Sequence, residues 1–212
     1  MASNGARILR DGVDDVDWHR TVTATIAETS APLALVHAHL ESLAGDWVSR
    51  LRIADETFCY LVVDTGRQPA DLLADLDGWC RRRGWHASQQ GRKIYAVPDA
   101  VTKSAAIAEV RRRLADAGVL DDDAPLLAAG DGWLDRDLLE SATAAVRPAH
   151  GELAERGWHA PHVHVTAARG IGASEEILAW FAAPGSSRPG PGNRLHPTYW
   201  NHPTKEIESH HD

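Results

Sequence analysis

Three residues, Lys103, Asp131 and Asp135, have the types and spacing to neutralise an anionic group and hold a hard cation beside it. The two aspartates lie in Leu126-Leu127-Ala128-Ala129-Gly130-Asp131-Gly132-Trp133-Leu134-Asp135, an apolar run ending at a glycine and followed by a helical pattern. In an open α/β sheet, ligands bind outside the carboxyl ends of the strands. Two acids converging there, with little else to neutralise them, suit a divalent ion such as Mg²⁺. Lys103 opens a predicted helix just after a predicted strand over 93–97, where a lysine supplies a point charge for phosphate.

The elements that must position these residues fall into two rhythms. The sequence predicts a strand over 6–9, a turn at Asp11-Gly12, and helices over 16–27 and 32–44. Strands over 47–53 and 58–63 follow around Asp55-Glu56, then a helix over 69–83 closed by Gly84. Strands over 85–88 and 93–97 flank the polar turn Gln89-Gln90-Gly91. Strands in hairpin pairs with helices between the pairs suit an antiparallel sheet covered on one face. After Pro98 the order becomes helix 103–117, strand 126–129, helix 134–145, strand 162–166 and helix 174–181, the alternation of a parallel layered sheet. From Pro184 onward Pro, Gly, Ser, Asn and His dominate, the composition of a disordered tail.

Composition excludes several classes of partner. With 212 residues, 43% hydrophobic and 25% charged, the chain is long enough for one large or two small domains with a real core. A formal net charge of −8 with scattered arginines argues against a nucleic-acid partner. No apolar run reaches membrane-spanning length and no signal-peptide core is visible, so a cytoplasmic protein is expected. Cys59 and Cys80 read as reduced core thiols, with a disulfide as the alternative.

Val97-Pro98, Lys103, Gly130-Asp131 and Asp135 together resemble the C-terminal half of a haloacid dehalogenase-superfamily phosphatase, in the Cof-type and sucrose-phosphatase-like branch with a large α/β cap. The resemblance covers about residues 3–182. A lone Gly-Asp with a second Asp four residues on is a weak motif; a lysine 28 residues before Asp131, each after a strand, is more specific. Residues 162–171 and the helix after them resemble that branch's closing strand and helix. Val146-Arg147-Pro148-Ala149-His150-Gly151-Glu152-Leu153 stands in place of its last active-site loop, with different residues.

The resemblance implies an α/β fold: the C-terminal part of a HAD-like Rossmannoid core (parallel sheet with helices) plus an α+β cap domain with an antiparallel sheet. The divisions are 1–98 for the cap, 99–182 for the core half and 183–212 for the tail. It implies an Mg²⁺-dependent phosphohydrolase acting on a small phosphorylated metabolite, a sugar phosphate among the candidates, through an aspartyl-phosphate. Lys103 matches the lysine that steadies the phosphate, Asp131 the metal ligand, and Asp135 the second acid of the metal motif. Arg50, Arg52 and Arg92 on the cap strands, and His150 in the loop, are candidates to grip the anionic substrate; a solvated sheet face explains the arginines equally well.

The nucleophile motif of such an enzyme has one formal match, Asp75-Leu76-Asp77-Gly78, inside the amphipathic pattern 69–83 rather than at the end of a buried strand. Two residues apart on a helix, these acids point in different directions. Ser3-Asn4-Gly5-Ala6 instead resembles the Asn-Gly turn just before the cap in that branch. The expectation is therefore a chain lacking the N-terminal segment that carries the nucleophile, with an exposed sheet edge prone to self-association. The alternative is a catalytically inactive remnant or interaction module. His159, His162 and His164 read as exposed loop and strand histidines, a metal site being the competing reading.

Overall fold

The computed structural model describes residues 2–183, so the tail expected from residue 184 onward lies outside the described residues. Two sheets carry the fold. The first has strand order β3-β4-β6-β5, formed by β3 (Val48–Ala54), β4 (Phe58–Val63), β5 (Trp85–Gln90) and β6 (Lys93–Pro98), all antiparallel. Asp55 and Glu56, at φ 46° and 55°, are the central residues of the turn between β3 and β4, closed by Thr57 N–H donating to Ala54 O at 2.9 Å, the left-handed geometry that matches strand twist. Cys59, Leu61, Val63, Ile94 and Ala96 alternate on one face and are fully buried. Helices α2 (Leu33–Leu43) and α3 (Leu72–Arg81) pack on this sheet, and α1 (Val16–Thr29) joins the same cluster through Trp18 and Val22.

On the opposite face, the register lines up Arg52, Tyr60, Tyr95 and Ser88 as one cross-strand row. The Tyr60 and Tyr95 rings lie 5.7 Å apart, and Lys93 Nζ sits 5.2 Å from the Tyr60 ring centre. This face is half-open where the other is sealed.

The second sheet is parallel, in the order β7 (Leu127–Ala129), β8 (Ala144–Arg147), β9 (Val163–Val165). Ala128 and Ala145 face Leu139 of α5 (Arg136–Ser141) and Leu153 of α6 (Glu152–Glu155), while Ala144 and Val146 face Trp180 of α7 (Ile171–Ala182). Helix α4 (Lys103–Asp116) bridges the sheets, with Ala106 in the N-terminal cluster. Its first turn receives the Ser3–Gly5 turn: at Gly5, φ 101°, any Cβ would collide with the Thr102 carbonyl.

Two expectations are corrected. The helix expected over 134–145 ends at Ser141, and Ala144–Arg147 is the middle strand of the parallel sheet. Alanines here satisfy helical periodicity and a strand buried on both faces alike, which periodicity alone cannot separate. Pairing decides it: Thr143 N–H donates to Leu126 O at 2.8 Å and its hydroxyl accepts from Leu126 N–H at 2.9 Å. The strand expected over 6–9 begins only at Leu9, where β1 (Leu9–Arg10) pairs with β2 (Val13–Asp14) around Asp11-Gly12.

Candidate active site

Lys103 is the first residue of α4, and the sequence fixes that helix start twice. Thr102 caps it, its hydroxyl accepting from Ala105 N–H at 3.1 Å. Ser104 then donates its N–H and hydroxyl to Asp137 Oδ2 at 2.9 and 2.5 Å, tying α4 to the first turn of α5. With both helix starts locked together, the Lys103 ammonium meets Asp135 Oδ1 in an ion pair. The other oxygen, Oδ2, accepts from Asp131 and Gly132 N–H at 3.1 and 3.0 Å, closing the loop after β7 on itself. Gly130 permits this closure, because a Cβ there would strike the Asp135 side chain.

Asp135 is 7% exposed and both oxygens are engaged. Asp131 is its opposite: exposed, with a carboxylate that no donor of the described residues reaches. No group of three or more His, Cys, Asp and Glu among the described residues could enclose a metal ion. The donor set therefore fits Mg²⁺ in one way, with Asp131 as a single carboxylate ligand and water or phosphate oxygens filling the rest, a common arrangement for that ion. A cavity of about 330 Å³ opens beside the pair, lined by Lys103, Asp135, Ala129, Leu138 and the 2–5 turn.

Glu152 connects this loop to the first sheet. It accepts from Trp133 N–H at 2.7 Å, from Arg156 at 2.8 Å and from the Ser88 hydroxyl of β5 at 3.2 Å. The open face of the antiparallel sheet is thus pinned over the strand ends of the parallel one. Trp133 lies between the Arg136 and Arg156 guanidinium groups, 4.7 and 4.5 Å from its ring centre. From the sequence, Glu152 in the loop after residue 146 reads as either ordinary loop packing or a group facing the phosphate pocket; its contact with Ser88, 64 residues away, has no local signature.

The remaining candidates are dispersed. His150 sits in the loop after β8, and Gly151 brings that loop within 3.3 Å of Asp131 Oδ2, measured to the Cβ a larger residue would carry. Arg50 and Arg52 are exposed on β3, three strands or about 14 Å from Ser88 at ordinary strand spacing. Arg92 lies in the β5–β6 turn, donating to Val63 O at 3.2 Å. Asp75 and Asp77 are in α3, where Asp77 accepts from Arg81 and from Ala87 N–H. His162 bonds Leu139 O at 2.8 Å, and His159 and His164 are exposed.

No family model matches the chain, and no curated protein does. Among solved structures it is similar to the sucrose-phosphatase from Synechocystis sp. PCC6803 in complex with sucrose and phosphate. Identity is 14% and the TM-score 0.63, over 84% of this chain and 72% of that one. A trehalose-6-phosphate phosphatase related protein gives 17% identity and a TM-score of 0.43, over 83% and 68%. A Thermoplasma acidophilum protein gives 13% and 0.48, over 73% and 63%. With its antiparallel sheet set before a parallel layer, the chain has a fold similar to that of the sucrose-phosphatase.

Proposed function

We propose that the chain forms the cap (1–98) and the C-terminal core half (99–182) of a phosphohydrolase acting on a small phosphorylated metabolite, of which a sugar phosphate is the favoured kind. The observation that carries this reading is the Lys103–Asp135 pair at the carboxyl end of β7, with Asp131 left free beside it. In this role Lys103 donates to phosphoryl oxygens entering the adjoining cavity, while Asp135 holds the ammonium in place and keeps the Asp131 loop closed. Asp131 would ligate Mg²⁺, which when bound offsets negative charge on the phosphoryl group. His150, and Arg50, Arg52 and Arg92 on the cap, would bear on the rest of the substrate.

Among the described residues no carboxylate at these strand ends is left to attack in an aspartyl-phosphate route, because Asp135 and Glu152 are committed to hydrogen bonds and Asp131 is assigned to the metal. Among the described residues β7 pairs with β8 alone, so its outer edge is open to a further strand beside Lys103. A strand laid there would deliver the nucleophile. The non-catalytic alternative rests on the same observation, since the fold stands without that strand.

Hydrolysis of a generic aryl phosphate by the purified chain, with and without Mg²⁺, separates the two readings. Turnover that needs Mg²⁺ and disappears in Asp131→Asn establishes the hydrolase. Absence of turnover, even with a synthetic strand bearing Asp-x-Asp supplied in excess, favours the non-catalytic module.

A further inference from the structure

Arg147, the last residue of β8, is a buried cation that has no counter-ion among the described residues. It is 8% exposed; its Nη1 donates to the neighbouring Pro148 carbonyl at 3.0 Å, and its buried Nε has no acceptor. Among the described residues no carboxylate lies within ion-pair distance of it. Strand alternation puts its side chain on the Ala145 face, the side covered by Leu139 and Leu153. Removing a guanidinium from water without a partner is costly, so the arrangement persists only if something else supplies the negative charge.

A second orphan lies three residues on: His150 Nδ1 is buried and also unpartnered. The loop carrying both is held firmly. Ala149 N–H donates to the buried Thr166 hydroxyl at 3.0 Å, which donates onward to Ala168 O at 2.8 Å. At its far end Gly151, φ 92°, packs against Asp131. These two unpaired nitrogens, one at the carboxyl end of the central parallel strand and one in the loop that follows it, suit an acceptor with several lone pairs: Arg147 Nε–H is a fixed donor, and His150 Nδ1 donates when it carries the proton.

We propose that Arg147 and His150 form an oxyanion site for a phosphate group, separate from the one assigned to Lys103. Arg147 supplies the permanent charge, with a planar fork matched to phosphate oxygens, and His150 adds a donor from the loop. A ligand spanning both sites would carry two anionic groups. The site itself does not depend on Lys103 or on catalysis.

The test is a thermal-shift titration with inorganic phosphate on the full chain and on Arg147→Met, Arg147→Lys and Lys103→Met. Without phosphate, Arg147→Met is expected to melt about 2–4 °C higher, because it removes an uncompensated buried charge while keeping the volume. Its phosphate-dependent rise is expected to shrink to what the Lys103 site contributes, Lys103→Met is expected to retain the Arg147 share, and the double variant is expected to show none. Arg147→Lys, which keeps the charge without the fork, should bind phosphate at least threefold more weakly. An unchanged phosphate response in Arg147→Met, or phosphate binding by Arg147→Lys as tight as wild type, would overturn the proposal. So would a lower melting point in Arg147→Met without phosphate, since that is the signature of a plain structural brace.

Discussion

The antiparallel and parallel halves of this molecule spend their buried residues differently. Around β3–β6, one continuous cluster gathers Trp18, Trp47, Phe58, Leu61, Leu76, Trp85 and Ile94, and the buried polar residues of that sheet, Thr57 and Ser88, are uncharged. Around β7–β9 the buried set splits into two small groups rich in alanine, and both buried charged residues of the described chain, Asp135 and Arg147, belong here. The half with the least apolar area to lose is the one that buries charge. That ordering is what a ligand site requires, since the free energy of desolvated charge must be offset by a stable neighbour. Glu152 and Ser88 couple the two halves, so stability of the first sheet bears on the geometry of the site.

The sharpest way to break this comparison is in the large cluster. Trp85 is fully buried and its indole N–H donates to Ala31 O at 2.9 Å. Trp85→Ala should cost about 3–5 kcal/mol in urea unfolding, with Leu153→Ala in the parallel half nearer to about 2 kcal/mol. A reversed order would show that the smaller clusters, not the antiparallel core, hold the fold.

Next in size is the charge in the second half. Asp135→Ala leaves the Lys103 ammonium and the Asp131 and Gly132 N–H groups without their acceptor, a loss of about 2–3 kcal/mol. Asp135→Asn retains an acceptor for the two N–H groups and should lose less. Equal stability of all three proteins by denaturant titration would mean that the loop closes without this carboxylate.

The smallest effect is a pH dependence confined to the first half. His39 stacks on Trp79 at 3.8 Å, with the Arg83 guanidinium 3.9 Å from the Trp79 ring centre. Burial, and then the Arg83 charge, hold the imidazole below its ordinary value of 6.5. The folded state therefore favours the neutral ring. Its contribution is present above pH 6.5 and is lost as the pH falls through that value toward the lower folded one. The melting temperature should drop between pH 7 and 5.5, and His39→Phe should flatten the drop; an unchanged slope would assign it to other groups.

How much of this was legible depended on whether the signal was local. The strand at Phe58–Val63 and the helix opening at Lys103 follow from alternation, apolar spacing and flanking turns. The fold class was readable because Lys103, Asp131 and Asp135 are spaced along the chain as their elements require. The strand Ala144–Arg147 was not readable, because a short buried run of alanine and valine has no periodicity that distinguishes it from a helix. The same ambiguity concealed Arg147, which as a loop residue carries no hint of burial; only its place at the end of a central strand makes its missing partner significant. Long-range pairs such as Ser88 with Glu152 depend on how two sheets meet, and one sequence contains no record of that meeting.

Backbone hydrogen exchange with and without inorganic phosphate and Mg²⁺ tests most directly whether the parallel half is built around a ligand. Slower exchange is expected in the first turn of α4 and in the loops that begin at residues 130 and 148, while β3–β6 are unaffected. Protection spread evenly over both sheets, or appearing only in β3–β6, would contradict the assignment of the anion site to the parallel half.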